Sequence, residues 1–282
     1  MGMPPLFWGL LVSPLWGAMF FLSGTLLAAL GVPWGHLVEA FAMIAAPLIV
    51  GRIDARMRRP GVPEVGVGRP AAAWVVAALL AGIGAAILGS EIDNIVRDRV
   101  PLVTAAVSPQ ATAPGPTLSP GPAWTMGVSY GLVAPVCLAF LGLGITMRNL
   151  WTSMPGWAAL TIGALATAWS RHEHPAYWLP WMLGPMIGGW AYARTHSIWL
   201  AVAAMVPQHA VVWLTVLSVA PGIPGFDTPP GHVVEFQPLW FDAIGVFCLA
   251  GGVFWMIEAF GAGVPEGGGL PPRAPRPGPG PD

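Results

Sequence analysis

Few side chains in this sequence could move a proton or hold a metal, and most of them lie in or beside long apolar runs. His209 sits in MVPQHAVVW, two residues after Pro207. His172, Glu173 and His174 form a triplet in AWSRHEHPAYW. Glu39 and Glu258 fall inside apolar segments, and Glu91 and Asp93 close another in GSEIDNIVRDR. Ionisable groups at membrane depth are costly and are functional candidates by default. An imidazole paired with a carboxylate would suit general acid–base chemistry on a bound water. Each has a plainer alternative. His209 can serve as a hydrogen-bonded structural residue, Glu258 as an interfacial one, and Arg97, Asp98 and Arg99 as a solvated face. His172 and His174 with His209 could supply zinc ligands, but there is no HExxH signature and no obvious completing carboxylate, so no metal or other cofactor is expected.

The elements that must carry these residues follow from composition. The chain has 282 residues, of which 55% are hydrophobic and 9% charged, with a mean hydropathy of +0.66 and a net charge of −1. A soluble domain carries about 25% charged residues, so most of this chain's surface must face lipid. No basic patch with interleaved aromatics is present, which excludes nucleic acid as a partner. Cys137 and Cys248 both lie in apolar runs, with no second thiol or histidine at ligand spacing, and read as small buried hydrophobes.

A spanning helix needs roughly 20 mostly apolar residues. Eight segments are expected: about Leu6–Leu30, Leu37–Val50, Ala71–Leu88, Trp124–Met147, Trp157–Ser170, Tyr177–Ala193, Ile198–Ala220 and Leu239–Phe260. The fold class is thus all-α, a polytopic transmembrane bundle. The first segment is too long and too poor in basic residues for a cleaved signal peptide and reads as retained. Pro14, Pro135, Pro180, Pro185 and Pro207 predict kinks. Gly142, Gly144, Gly184, Gly188 and Gly189 predict close helix contacts.

All twelve basic residues are arginines. Nine of them (Arg52, Arg56, Arg58, Arg59, Arg69, Arg148, Arg194, Arg273 and Arg276) fall on one face of this arrangement and three (Arg97, Arg99 and Arg171) on the other. The positive-inside rule makes the richer face cytoplasmic, with both termini on it. Residues 100–123 read as an external Pro/Ser/Thr/Ala-rich loop. The chain divides into a membrane-embedded domain, 1–260, and a disordered Pro/Gly-rich tail, 261–282.

The stretch from about Gly127 to Trp213 resembles the CPBP family, which includes the type II CAAX prenyl proteases and the bacterial Abi-like proteins. Three runs carry the resemblance, over about a third of the chain. VSYGLVAPVCLAFLGLGITMRNLW is similar to the family's first core helix, which bears Glu-Glu-x-x-x-Arg-Gly. WAALTIGALATAWSRHEHP is similar to the second, ending in Phe-x-x-x-His. GPMIGGWAYARTHSIWLAVAAMVPQHAVVW is similar to the glycine-rich helix, the Arg-Thr-x-Ser turn and the His-x-x-x-Asn motif. The resemblance implies a bacterial-type inner-membrane protein. It also implies a site joining His172 and His209, lined by Leu138, Ala139, Leu143, Trp169 and Trp213.

The departures bear on activity. Leu138 and Ala139 stand where the family has its two glutamates, Leu143 where it has arginine, Ala168 (beside Trp169) where it has phenylalanine, and Trp213 where it has asparagine. Leu138 and Ala139 cannot accept a proton, and Trp213 offers only an indole donor. The expected function is therefore that of a catalytically degenerate homologue. It would bind or help to process membrane-anchored protein segments, or partner an active protease; a resemblance to the family's myxosortase branch would imply sorting of proteins with C-terminal membrane anchors. Two alternatives stay open: an active endopeptidase in which Glu91, Asp93 or Glu173 replaces the lost carboxylates, and a small-molecule transporter. The transporter reading lacks a visible inverted repeat and a ring of intramembrane charges.

Overall fold

The computed structural model describes residues 4–12, 14–16, 36–57, 62–99, 127–169, 178–216, 222–226 and 233–263. All regular structure among these is helical. Helix α1 comprises residues 5–12 and 14–16. It is followed by α2 (His36–Met57), α3 (Ala72–Arg99), α4 (residues 127–151), α5 (Gly156–Trp169), α6 (Trp178–Thr195), α7 (Ile198–Val216) and α8 (Leu239–Gly263).

Helix is present in each of the eight expected segments. Three helices are long and apolar enough to cross a membrane: Ala72–Arg99, Gly131–Trp151 and Leu239–Gly261. Two of the others are shorter or more charged over the residues described. Helix α5 has 14 residues, about 21 Å at 1.5 Å per residue, against a hydrocarbon core of about 30 Å. The last two turns of α2 carry Arg52, Asp54 and Arg56. The described residues are therefore all-helical and include three candidate membrane spans, as suits a membrane protein.

Helix α4 is wide-turned over much of its length, with π-helical stretches at Ser129–Val133 and Ala139–Met147. Pro135 has no N–H to donate into the first stretch, and a missing i→i−4 bond is a common cause of such widening. Helix α5 crosses it at a glycine pair. A Cβ on Gly142 would stand 2.2 Å from Thr167 Cγ2 and 3.0 Å from the Gly163 carbonyl oxygen, so only glycine permits this approach.

Helix α3 packs against α6, α7 and α8 through Ala77, Ala78, Ala81, Ala191, Leu200, Ala204 and Met256. The outer face of α8 shows Trp240, Phe247, Phe254 and Ile257 to its surroundings. Such a contiguous apolar face suits lipid and is rare on a soluble monomer.

Two clusters of ends define the bundle. At one, the extended residues 62–71 strap the α6–α7 turn. Ile198 N–H donates to the Gly66 carbonyl (2.9 Å), Ser197 Oγ to the Gly68 carbonyl (2.8 Å) and Trp199 Nε1 to the Val67 carbonyl (3.2 Å). Gly66 is obligatory, because a Cβ there would lie 1.6 Å from the His196 carbonyl oxygen. His196 has φ +54° and stacks on Tyr192. Burial, and then the charge of Arg148, holds its imidazole below the ordinary histidine range.

At the other end, the C-terminal half of α3 is a post for the chain between α7 and α8. Asn94 Nδ2 donates to the Gly225 carbonyl (2.7 Å), Gln237 N–H to Glu91 Oε2 (3.0 Å) and Gln237 Nε2 to the Ile87 carbonyl (3.1 Å).

Candidate functional site

His209 is buried in α7, one turn beyond Met205. Its Nδ1 lies 3.0 Å from the Met205 carbonyl oxygen. A carbonyl only accepts, so this contact puts the proton on Nδ1. Trp181 of α6 meets the ring edge-on, with centroids 5.6 Å apart. The neighbouring Gln208 ties the same two helices together, donating from Nε2 to the Pro180 carbonyl at 2.8 Å.

Leu138, Ala139 and Leu143 are buried on α4. They share one apolar cluster with Ala201, Val202 and Met205 of α7. Helix α4 thus meets α7 about one turn from His209, and what it presents there is packed hydrocarbon. His172, with Glu173 and His174, lies outside the described residues. So do the side chains of Trp169, Trp213 and Glu39. Glu258 is exposed on α8.

The carboxylates of α3 have different duties. Glu91 accepts from the Gln237 backbone N–H and from Asn94 Nδ2 (3.1 Å), which commits it to anchoring residues 233–238. Asp93 pairs with Arg97 at 2.7 Å. It lines a cavity of about 50 Å³ with Ser90, Pro180, Trp181 and Gln208. Trp181 therefore borders this small cavity and also touches the His209 ring. Arg97 is buried rather than part of a solvated face; of the three residues in that run, only Asp98 and Arg99 are exposed.

A larger open space than this small cavity lies elsewhere. A cavity of about 990 Å³ lies between α2, α4 and residues 64–65. Its apolar wall is built from Ile44, Leu48, Leu132, Val136, Cys137 and Phe140, and its polar end from Arg52, Asp54, Arg56 and Glu64. Leu138, Ala139, Leu143 and His209 are not among its lining residues. Val136, Cys137 and Phe140 border this cavity, and Val136 and Phe140 also pack against the cluster that holds Leu138, Ala139 and Leu143.

Behind the polar end is a buried ion pair that the sequence does not announce. Asp54 of α2 accepts from Arg148 Nη2 (2.5 Å), Asn149 Nδ2 (3.1 Å) and Trp8 Nε1 (2.8 Å). It thereby joins α1, α2 and α4. Arg148 is fully buried, although its place at the end of α4 suggests a loop charge. Its Nε and Nη1 find no hydrogen-bond partner among the described residues. The available signals are Asp54 as the one acid among the arginines of GRIDARMRR and the Arg-Asn pair closing an apolar helix.

Comparison with known proteins adds no relative: no family model matches the chain, and neither a curated protein nor a solved structure matches it.

Proposed function

We propose that this chain is a multi-pass membrane protein that holds an amphiphilic ligand beside α2 and does not hydrolyse peptide bonds. The observation that carries the reading is the mismatch between chemistry and space. The α4 side chains that the CPBP resemblance would make catalytic are packed apolar core, whereas the 990 Å³ cavity is lined by other residues, none of them histidine among those described. On this reading the CPBP-like stretch keeps a helical scaffold and has lost the acid–base pair.

The endopeptidase alternative retains one supporting observation, the placement of Asp93 in the small cavity that shares Trp181 with His209. Its drawback is that Asp93 is already neutralised by Arg97.

The experiment is thiol reactivity, because the reading is a statement about where open space lies. Cys137 lines the large cavity. It would be measured in a Cys248→Ser background with a small neutral reagent, methyl methanethiosulfonate. An Ala139→Cys thiol in a chain lacking both native cysteines is the comparison. Cys137, buried but bordering the cavity, is expected to react more slowly than an exposed thiol yet faster than the thiol at position 139, which remains protected until the chain unfolds. Faster reaction at 139 would place the open site against α7 and overturn the reading.

The same proposal includes about eight spans with both termini cytoplasmic, in a bacterial-type inner membrane. The nine-to-three arginine split supports it. So does the gathering of the α2, α4 and α6 C-terminal ends apart from the C-terminal end of α3. Cysteines placed in residues 58–61 should then be labelled from the cytoplasm, and those in 100–123 from outside. Reversed labelling would overturn the orientation.

A further inference from the structure

We infer that the cavity beside α2 is a binding site for one anionic phospholipid, its acyl chain against α4 and its headgroup at Arg52 and Arg56. This rests on the reading of that cavity as a ligand chamber. The first ground is a stripe on α2. Ile44, Leu48, Arg52 and Arg56 are spaced four residues apart, all line the cavity, and all are exposed to it or to its surroundings. Residues at this spacing share one helix face, so a single wall passes from hydrocarbon to guanidinium.

Length agrees with this occupant. The apolar lining of α4 from Leu132 to Phe140 covers eight residue steps, about 12 Å of helix, most of the roughly 15 Å of one leaflet of a 30 Å core. The arginines sit where a headgroup would be if the apolar wall lies alongside its chain. Leu132, Val136 and Phe140 give α4 a matching apolar stripe across the cavity.

Charge decides between an anionic and a neutral headgroup. Two carboxylates also border the polar end, Asp54 and Glu64. Asp54 does not oppose an anion, because Arg148 is its buried counter-ion and Trp8 and Asn149 occupy its oxygens. Glu64 is the one remaining carboxylate beside Arg52 and Arg56 in the lining, which leaves the mouth with a net positive charge. Both arginines belong to the end of the bundle that collects the basic residues, where basic side chains recognise anionic lipid. A helical peptide would need a wider, two-sided apolar trough and has no use for the arginine pair.

The test is native mass spectrometry of the full-length chain released from detergent. It would be titrated with dioleoyl phosphatidylglycerol or with dioleoyl phosphatidylcholine, and separately with glycerol phosphate. One phosphatidylglycerol per chain is expected, in preference to phosphatidylcholine, with no retention of glycerol phosphate. Each arginine near an anionic surface contributes about fivefold in affinity. Arg52→Gln with Arg56→Gln should therefore weaken phosphatidylglycerol roughly 25-fold and leave phosphatidylcholine unchanged. Leu48→Trp, at an exposed cavity position that tolerates bulk, should displace both lipids while the thermal transition stays in place.

Equal binding of the two lipids would overturn the inference. So would an arginine double variant that keeps its preference, a Leu48→Trp chain that keeps one phosphatidylglycerol, or capture of an apolar helical peptide in competition with it. If Cys137 proves reactive and the lipids bind alike, the chamber stands and only the headgroup assignment falls. If Cys137 is sealed, the chamber itself falls.

Discussion

Asp54→Ala should cost about 3–5 kcal/mol of folding stability, the usual penalty for removing one partner of a buried ion pair. For a chain of this size that corresponds to a fall in thermal midpoint on the order of 10 °C. The size follows from what is left behind. Arg148 is fully buried, and Asp54 is its one ion-pair partner among the described residues, with two more of its nitrogens already lacking acceptors. Trp8 Nε1 and Asn149 Nδ2 lose their acceptor in the same step. Arg148→Met is expected to cost less, because Asp54 would keep those two donors. The double variant Asp54→Asn with Arg148→Met removes both charges and should recover much of the loss. The departure from additivity measures the pair itself. Single variants that melt within a degree or two of the parent would show that the pair does not hold α1, α2 and α4 together.

How much of this was legible in the sequence depends on whether the information is local. Composition and apolar run lengths indicate an all-helical membrane protein, and helix occupies each run where residues are described. Pro135 and Gly142 announce an irregular α4 packed closely on a neighbour, and α4 shows π-helical turns and a glycine contact with α5. The Asp54–Arg148 pair joins residues 94 positions apart and the Glu91–Gln237 bond residues 146 apart. No periodicity connects such positions.

The sequence alone places Arg148 with the loop charges, because a helix-terminal arginine normally snorkels to water; Asp54 draws it inward instead. Glu91 looked available because GSEIDNIVRDR ends an apolar run, yet its carboxylate is used by a backbone N–H from the far end of the chain. The resemblance pointed to the α4–α7 crossing, where the described side chains are apolar, and His172 lies outside the described residues. The α2 stripe was present in the sequence as Ile44, Leu48, Arg52 and Arg56, but its meaning depends on α4 standing opposite.

The second large effect concerns chemistry, and it is an absence. Proton transfer by a positioned side chain contributes about 10²–10⁴-fold to a hydrolytic rate. At the α4–α7 crossing Leu138 and Ala139 offer no acceptor, Glu91 is occupied, and Asp93 is paired with Arg97. His209 directs its Nδ1 proton into its own helix backbone.

The measurement that bears most directly on this is cleavage by the purified full-length chain in vesicles. Substrates would be single-span proteins with polar tails on either side. They would be run beside His172→Ala, His209→Ala, Asp93→Asn and Glu91→Ala variants and protein-free vesicles. The account predicts that the parent chain, every variant and the protein-free vesicles release product at the same background rate. Cleavage by the parent that falls about 100-fold or more in a histidine variant would contradict it, and a matching loss in Asp93→Asn would identify the carboxylate responsible.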